Sequence, residues 1–519
     1  MNILVDGIFH EKRLTQNCGL ASLAAYGKSR GHDLVLFAPN NRRLDEERAA
    51  AWILERAPAF VGVSLLSRFQ YPSFGKLAGA LRHSGWKGLL VAGGHWASLA
   101  HDRLLRETEE LDLVVVGDGE ETLADLLDRL RSGTDWRDLA GLARRDPSGL
   151  TRFNGPRSLG PLDSYPPMDT SLIRELVQAY GPTVRVGVIA SRGCYGDCAY
   201  CSVKAYNRLQ RAKPYRMRSL ERVVDEIQMI HDEFGISDFS FEDDNFVLPG
   251  RAGVVRLEEL GRLLEERGLR LDLWVQTRPE CVSLEAMTLL KRAGVRTIFI
   301  GTESFDPATL ALYNRGNTLE ENLEALDVLE SLGFSCDVNA ENRIKFGAII
   351  FHPYVTLDVL RAQAQHWRRY HIPAGKLLRR LRPGGEGRLC RRLEEEGLVG
   401  DDGEYLFARP EVDAVYWTLH RFFSEYHPLR DEIRSVEKIN RKDGLTMDVG
   451  FLRRVREAIE EHLVSLFEEL CLAGQEGNEA IERAYRRRCD LIEGEFDFGA
   501  VRARVKAALA ETAGHAVSR

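Results

Sequence analysis

Three cysteines crowd one short segment, Ser191-Arg192-Gly193-Cys194-Tyr195-Gly196-Asp197-Cys198-Ala199-Tyr200-Cys201-Ser202. The spacing C-x3-C-x2-C lets three thiolates wrap a compact loop around a metal centre. On a cubane 4Fe-4S cluster, three cysteines leave one of the four irons open to a substrate or cofactor. A structural zinc site is the alternative, but it takes four closed ligands, and no fourth Cys or His lies within local reach of Cys201. The other six cysteines, Cys18, Cys281, Cys336, Cys390, Cys471 and Cys489, are scattered singly. They read as small buried hydrophobes rather than a disulfide framework.

The elements that must position this loop follow from periodicity. From Met1 to about Arg131, short apolar runs (Ile3 to Val5, Leu34 to Phe37, Phe60 to Leu66, Leu89 to Ala92, Leu113 to Val116) alternate with helix-length segments. That alternation predicts an α/β fold with a doubly wound parallel sheet, whose ligands bind at the carboxyl ends of the strands. Three of those ends carry small residues: Ser64, Gly93-Gly94-His95 and Gly117-Asp118-Gly119-Glu120. Backbone can approach a bulky ligand there. Gly117-x-Gly119 is weak evidence for a dinucleotide site, because Thr122 stands where that fingerprint has its third glycine.

From 132 to 182, Asp146-Pro147-Ser148-Gly149 predicts a turn between short strands, and Pro156, Pro161, Pro166 and Pro167 mark an extended connector. Five or six strand–helix units then run from 183 to 380, as in a partial barrel with its site at the strand C-terminal ends. Ser219 is a candidate N-cap, and Gly294 and Gly333 are candidate helix stops before strands. Residues 381–519 predict a mostly helical, charged domain.

With 78 acidic and 71 basic residues the net charge is -7, so no overall positive field favours nucleic acid. The longest stretch free of Asp, Glu, Lys and Arg, Gly88 to His101, falls short of the roughly 18 apolar residues of a spanning helix. Met1 to Asp6 lacks the basic start of an export signal, and a cytoplasmic location is expected.

Cys194, Cys198, Tyr200 and Cys201 match CxxxCx-aromatic-C, and on them the chain resembles the radical SAM superfamily. Tyr215-Arg216-Met217-Arg218-Ser219, Phe241 to Phe246, Gln276-Thr277-Arg278, Gly301-Thr302-Glu303-Ser304 and Asn314-Arg315-Gly316 are similar to its cobalamin-associated branch. The resemblance implies that Cys194, Cys198 and Cys201 hold the cluster. The open iron would take S-adenosylmethionine, lined by the Tyr200 backbone, Glu242, Gln276, Arg278 and Glu303. It makes residues 1–131 a cobalamin-binding domain in which Ser64, Leu65, Gly93, Gly94, His95, Ser98, Gly117, Gly119 and Glu120 grip the corrin and its tail. None of the 13 histidines has Asp two positions before it, so the Asp-x-His-x-x-Gly of other cobalamin domains is absent. Cobalt is then expected without a histidine ligand, over the loop Ser64 to Arg68, with His95 and Arg68 as polar contacts.

The chemistry so implied is reductive cleavage of S-adenosylmethionine to a 5'-deoxyadenosyl radical, hydrogen abstraction, and methyl transfer from methylcobalamin to a carbon of a biosynthetic intermediate. A cyclase or rearrangement enzyme without methyl transfer is the second reading, and a non-catalytic metal- or corrinoid-binding module the third. A methylthio-transferring relative would need three cysteines in the N-terminal domain, which has only Cys18. The expected partners are a small-molecule or peptide substrate and an electron donor such as flavodoxin or ferredoxin, with no nucleic acid. Substrate contacts are expected on Phe346 to Tyr354, where His352 and Tyr354 could orient substrate or move protons.

Overall fold

The computed structural model describes residues 1–11, 16–337, 340–382, 387–400, 403–443 and 450–517. They divide into two compact units, Met1–Ile298 with Gly384–Cys390, and Phe299–Pro383 with Arg391–Arg519.

The first unit opens with strands β1 (Asn2–Asp6), β2 (Leu34–Phe37), β3 (Phe60–Ser64), β4 (Leu89–Gly93) and β5 (Leu113–Val115), then β6 (Leu142–Arg145) and β7 (Thr151–Phe153). They form one sheet in the order β2-β1-β3-β4-β5-β6-β7. The first five are parallel, and helices such as Cys18–Ser29, Glu46–Leu54 and Tyr71–His83 connect them. Parallel strands covered on both faces must be apolar throughout: Ile3, Val5, Phe60, Val61, Val63, Leu90 and Ala92 are all at most 1% exposed. The winding reverses between β1 and β3, the place where open sheets leave a crevice. There Asn17 caps its helix by accepting from Leu20 N and donates to Asp6 and Ser64, tying both strand ends together.

The predicted turn at Asp146–Gly149 joins β6 to β7, and this hairpin extends the sheet antiparallel to β5. The connector also holds a helix not expected from sequence, Ser171–Tyr180. It buries Leu172, Ile173 and Leu176, a stripe too short to stand out among the prolines before it.

A second sheet begins in the first unit with β8 (Val186–Val188), followed by the ribbon β9 (Ser191–Gly193) and β10 (Tyr215–Met217), then β11 (Asp238–Phe241), β12 (Asp272–Thr277) and β13 (Val295–Glu303). β8, β11 and β12 are parallel in that order, with β13 beside β12. β13 continues into the second unit, where β15 (Asn342–Ala348) lies beside it and β14 (Phe334–Ser335) pairs parallel with β15. This is the expected class: a doubly wound parallel sheet, a partial barrel of six strands, and a helical C-terminal region. Gly294 and Gly333 take positive φ before β13 and β14, as expected of helix stops. Ser219 occupies its N-cap position without a side-chain cap; its backbone N–H instead meets the Asp163 carboxylate at 3.0 Å.

In the second unit, helices Pro410–Asp443, Gly450–Ala473, Asn478–Glu495 and Phe498–Val517 follow one another. Leu419, Phe422, Leu429, Leu466, Phe467 and Leu470 are fully buried there, and Arg430 pairs with Glu460 at 2.7 Å. Among the described residues, no helix is long and apolar enough to cross a membrane.

Candidate cofactor site

The cysteine loop is shaped by its neighbours. β9 releases the chain at Gly193, whose φ is +88° and where a Cβ would come within 2.3 Å of the Pro214 carbonyl oxygen, so only glycine fits. Its N–H donates to Asp244 at 3.1 Å. Cys201 closes a turn onto the Cys198 carbonyl at 3.2 Å and then caps helix Ser202–Leu209, which the sequence did not reveal.

Donors face the sulfurs: Gly196 N–H lies 3.4 Å from Cys194 Sγ, and Arg278 Nη1 lies 3.2 Å from Cys198 Sγ. Burial raises the Cys194 thiol and pushes Cys201 up to about 12, so both are neutral thiols until a metal displaces their protons. A thiolate-bound cluster calls for N–H donors to sulfur inside a buried loop, and these residues fit that demand. Among the described residues, no three His, Cys, Asp or Glu side chains converge on a single-ion position. Thiolates that ligate separate irons of a cube have no need to converge so.

Arg278 was expected against S-adenosylmethionine. Its guanidinium rests on Cys198, locked by Glu280 and stacked over the Tyr195 ring at 5.4 Å. A Cβ at Gly196 would lie 2.4 Å from Arg278 Nη1, so a larger residue there would displace the guanidinium. Glu242 directly follows β11 with its carboxylate accepting from Ser240, and Gln276 donates to the Asp243 carbonyl. Tyr200 sits half-buried in the turn before Cys201. Glu303 lies in the second unit at φ +63°, a left-handed conformation rare for a non-glycine residue, and its carbonyl accepts from Ile349 N at 2.8 Å. In the same unit His352 is buried against Thr309 at 3.2 Å, its ring held neutral by burial, which lowers its pKa to about 4. Tyr354 donates to Glu396 at 2.5 Å.

A cavity of about 580 Å³ lies in the first unit at the β1/β3 reversal. Ser64, Gly93, Gly94, His95, Gly117, Gly119 and Glu120 line it, and so does Glu242. Leu65 and Ser98 do not reach it. They brace its wall: Leu65 N donates to Gly93, and the Ser98 hydroxyl donates to Gly94 while accepting from Gly117 N. Gly94, at φ +98°, leaves the strand into a short helix, His95–Leu99. A Cβ on Gly94 would stand 2.9 Å from the Leu65 carbonyl oxygen. His95 stacks on Tyr206 with ring centroids 4.5 Å apart and bonds Ser202 at 2.8 Å. Burial lowers its pKa to about 4, so it is a neutral imidazole with one nitrogen engaged. Arg68 stacks on Phe69 outside the cavity lining.

Sequence reasoning missed the group that joins the glycine loops to the cysteine segment. Asp118 accepts from Arg192 at 2.9 Å, Arg216 at 2.6 Å and Tyr206 at 3.2 Å, while Glu120 takes the other arm of Arg192 at 2.5 Å. Burial pushes the Asp118 carboxyl up, but the two guanidinium groups outweigh it and hold the pKa at about 2. Gln210 accepts from Asp118 N at 3.0 Å. Its Nε2, together with Arg216 Nε and Nη1, is buried without an acceptor although both residues line the cavity. Such donors suit a ligand rich in amide carbonyls, as cobalamin is, and the cavity's glycine rim admits close backbone approach; the residues fit that cofactor. Arg192 beside the cysteines and Arg216 in the Tyr215–Ser219 segment were visible in sequence, but their shared partner was not. Nothing singled out Gln210.

Comparison with known proteins bears on the same two halves. The Radical SAM superfamily matches residues 188–344, and the B12 binding domain matches residues 12–127. An uncharacterized methyltransferase of Pyrococcus horikoshii is 27% identical over 61% of this chain and 66% of its own length. The anaerobic magnesium-protoporphyrin IX monomethyl ester cyclase of Cereibacter sphaeroides is 29% identical over 46% of this chain and 39% of its own. The chain thus spans under two thirds of each curated relative. The solved cobalamin-dependent S-adenosylmethionine radical enzyme OxsB, with aqua-cobalamin and S-adenosylmethionine bound, superposes with a TM-score of 0.76 at 16% identity. That superposition covers 98% of this chain and 83% of OxsB, a likeness of fold. The chain is a member of the radical SAM superfamily. Within it, the chain belongs with the cobalamin-dependent proteins, and its cofactors are a 4Fe-4S cluster, S-adenosylmethionine and cobalamin.

Proposed function

We propose that the protein is a cobalamin-dependent radical SAM enzyme that methylates a carbon of a small-molecule or peptide biosynthetic intermediate. One observation carries this reading: a single cavity is lined both by the glycine rims of the first sheet and by Ser202, Glu242 and Asp244, which flank the cysteine loop. When bound, the cluster and S-adenosylmethionine supply a hydrogen-abstracting radical, and cobalamin supplies a methyl reservoir.

The chain's own residues do the positioning. Cys194, Cys198 and Cys201 hold the cluster as thiolates once their protons leave, and Gly196 N–H and Arg278 stabilise that charge on sulfur. Glu242, Gln276 and the Tyr200 backbone hold S-adenosylmethionine. Ser64, Gly93, Gly94, Gly117, Gly119 and Glu120 seat the corrin, braced by Leu65 and Ser98. His95, neutral and committed to Ser202, is a polar wall residue rather than a metal ligand.

A cyclase or rearrangement reading competes, because a protein named as a ring-forming cyclase is among the relatives. Turnover with methyl-deuterated S-adenosylmethionine separates the two: deuterium carried into the product supports methylation, whereas an unlabelled product with 5'-deoxyadenosine formed supports cyclisation. A protein that binds corrinoid or metal yet never cleaves S-adenosylmethionine would be a carrier.

A further inference from the structure

A basic run of chain follows the cysteine loop, and part of it gathers on that loop at Asp197. Residues 202–218 contain six cations, Lys204, Arg208, Arg211, Lys213, Arg216 and Arg218, and no Asp or Glu, in a chain whose net charge is -7. Arg216 is neutralised by buried Asp118, and Arg218 by buried Glu226 at 2.5 Å. The other four have no such buried partner.

Lys204 and Arg208 share a single carboxylate, Asp197, at 3.9 and 3.6 Å with a third cation, Arg388, at 3.0 Å. Arg208 and Arg388 are 57% and 50% exposed, and Arg211 and Lys213 stand exposed beyond the helix. The face is fixed to the metal loop. Asp197 directly precedes Cys198, Arg388 also bonds the Asp197 carbonyl at 3.2 Å, and Leu389 N donates to Ala199 at 3.1 Å. Exposed ion pairs add little to stability, so folding does not explain this surplus of charge. Patches of one sign steer partners of the other sign.

We propose that this face docks a small acidic electron-carrier protein that reduces the cluster. The inference rests on the cofactor reading above, in which one electron must reach the cluster from outside the chain. The step balances simply: the reduced carrier loses one electron, the oxidised cluster gains it, and no atom or proton is exchanged.

The test uses the full chain with its cluster reconstituted anaerobically, reduced in stopped flow either by reduced flavodoxin or by the cationic methyl viologen radical. The double variant Arg211→Glu/Lys213→Glu, which leaves the cysteine loop untouched, should lower the flavodoxin rate by about tenfold or more at low salt. Its salt dependence should flatten while the viologen rate stays unchanged, and Arg208→Glu should add to the loss. A flavodoxin rate within about twofold of wild type in both variants, on the steering scale of one to three decades, would overturn the proposal. Equal slowing with both reductants would also overturn it, by tying the cations to the loop's own integrity. Flavodoxin reduction that an oligonucleotide leaves unimpeded supports protein docking, whereas tight oligonucleotide binding with no saturable flavodoxin rate would assign the face to nucleic acid and sink it. If viologen fails to reduce the wild-type protein, the cluster reading itself falls and the docking with it.

Discussion

The first unit buries a carboxylate at the end of β5 and another at the end of β11, with opposite outcomes. Asp118, beside two guanidinium groups, is held at about 2. Asp243 is fully buried and accepts from the Ser191 hydroxyl and from Ala190 N at 3.1 Å. Burial pushes it up to about 7, against the pull of those donors and of Arg256. Depth is similar at both places, so cation pairing and not burial decides which carboxylate stays charged. Asp118 can therefore serve as an ionic anchor that locks the glycine loops to β9 and β10. Asp243, held by the Ser191 hydroxyl and Ala190 N, is a hydrogen-bonded strut for the approach to the cysteine loop.

Removing the anchor should give the largest effect. Asp118→Ala leaves Arg216 and half of Arg192 buried without a counter-charge and should destabilise the chain by about 3–5 kcal/mol in chemical unfolding. Cobalamin affinity, followed by absorbance, should fall with it. An effect under about 1 kcal/mol, the value of a surface pair, would erase the distinction between the two carboxylates.

Next in size is the pH response of Asp243. Its folded pKa lies above the unfolded one, so the folded state holds the extra proton, and stability falls as pH rises from about 4 through 7. At 1.36 kcal/mol per unit the upper bound is about 4 kcal/mol. Asp243→Asn should flatten unfolding midpoints across that window, with its gain over wild type growing toward neutral pH. Asp118 behaves in the opposite way: its stabilisation is present above the unfolded pKa and is lost only as pH falls toward 2. A parallel pH profile for Asp243→Asn and wild type would mean that the carboxyl is charged after all.

These contrasts mark what sequence could convey. The parallel strands and the cysteine loop were legible because apolar runs and thiol spacing are local signals. The brace residues were partly legible, since Leu65 and Ser98 lie inside the right segments but turn away from the cavity. The contact of Arg278 with Cys198 was not legible, because its rotamer is set by Glu280 and Tyr195 rather than by its place in the chain. The helix His95–Leu99 was hidden by its brevity. Asp118 as an anchor was hidden because its partners stand 74 and 98 residues away.

The smallest expected effect concerns the basic face, and it completes the comparison. Asp197 faces three cations where Asp118 faces two, yet it is 38% exposed while Asp118 is 5% exposed. Water screens the first set and not the second. Asp197→Ala should therefore change global stability by less than about 1 kcal/mol, with a weaker effect still in added salt. A loss comparable to that of Asp118→Ala would show that the outer cations hold the cysteine loop in place. They would then not be free to meet a partner, and the reason for reading the face as a docking surface would disappear.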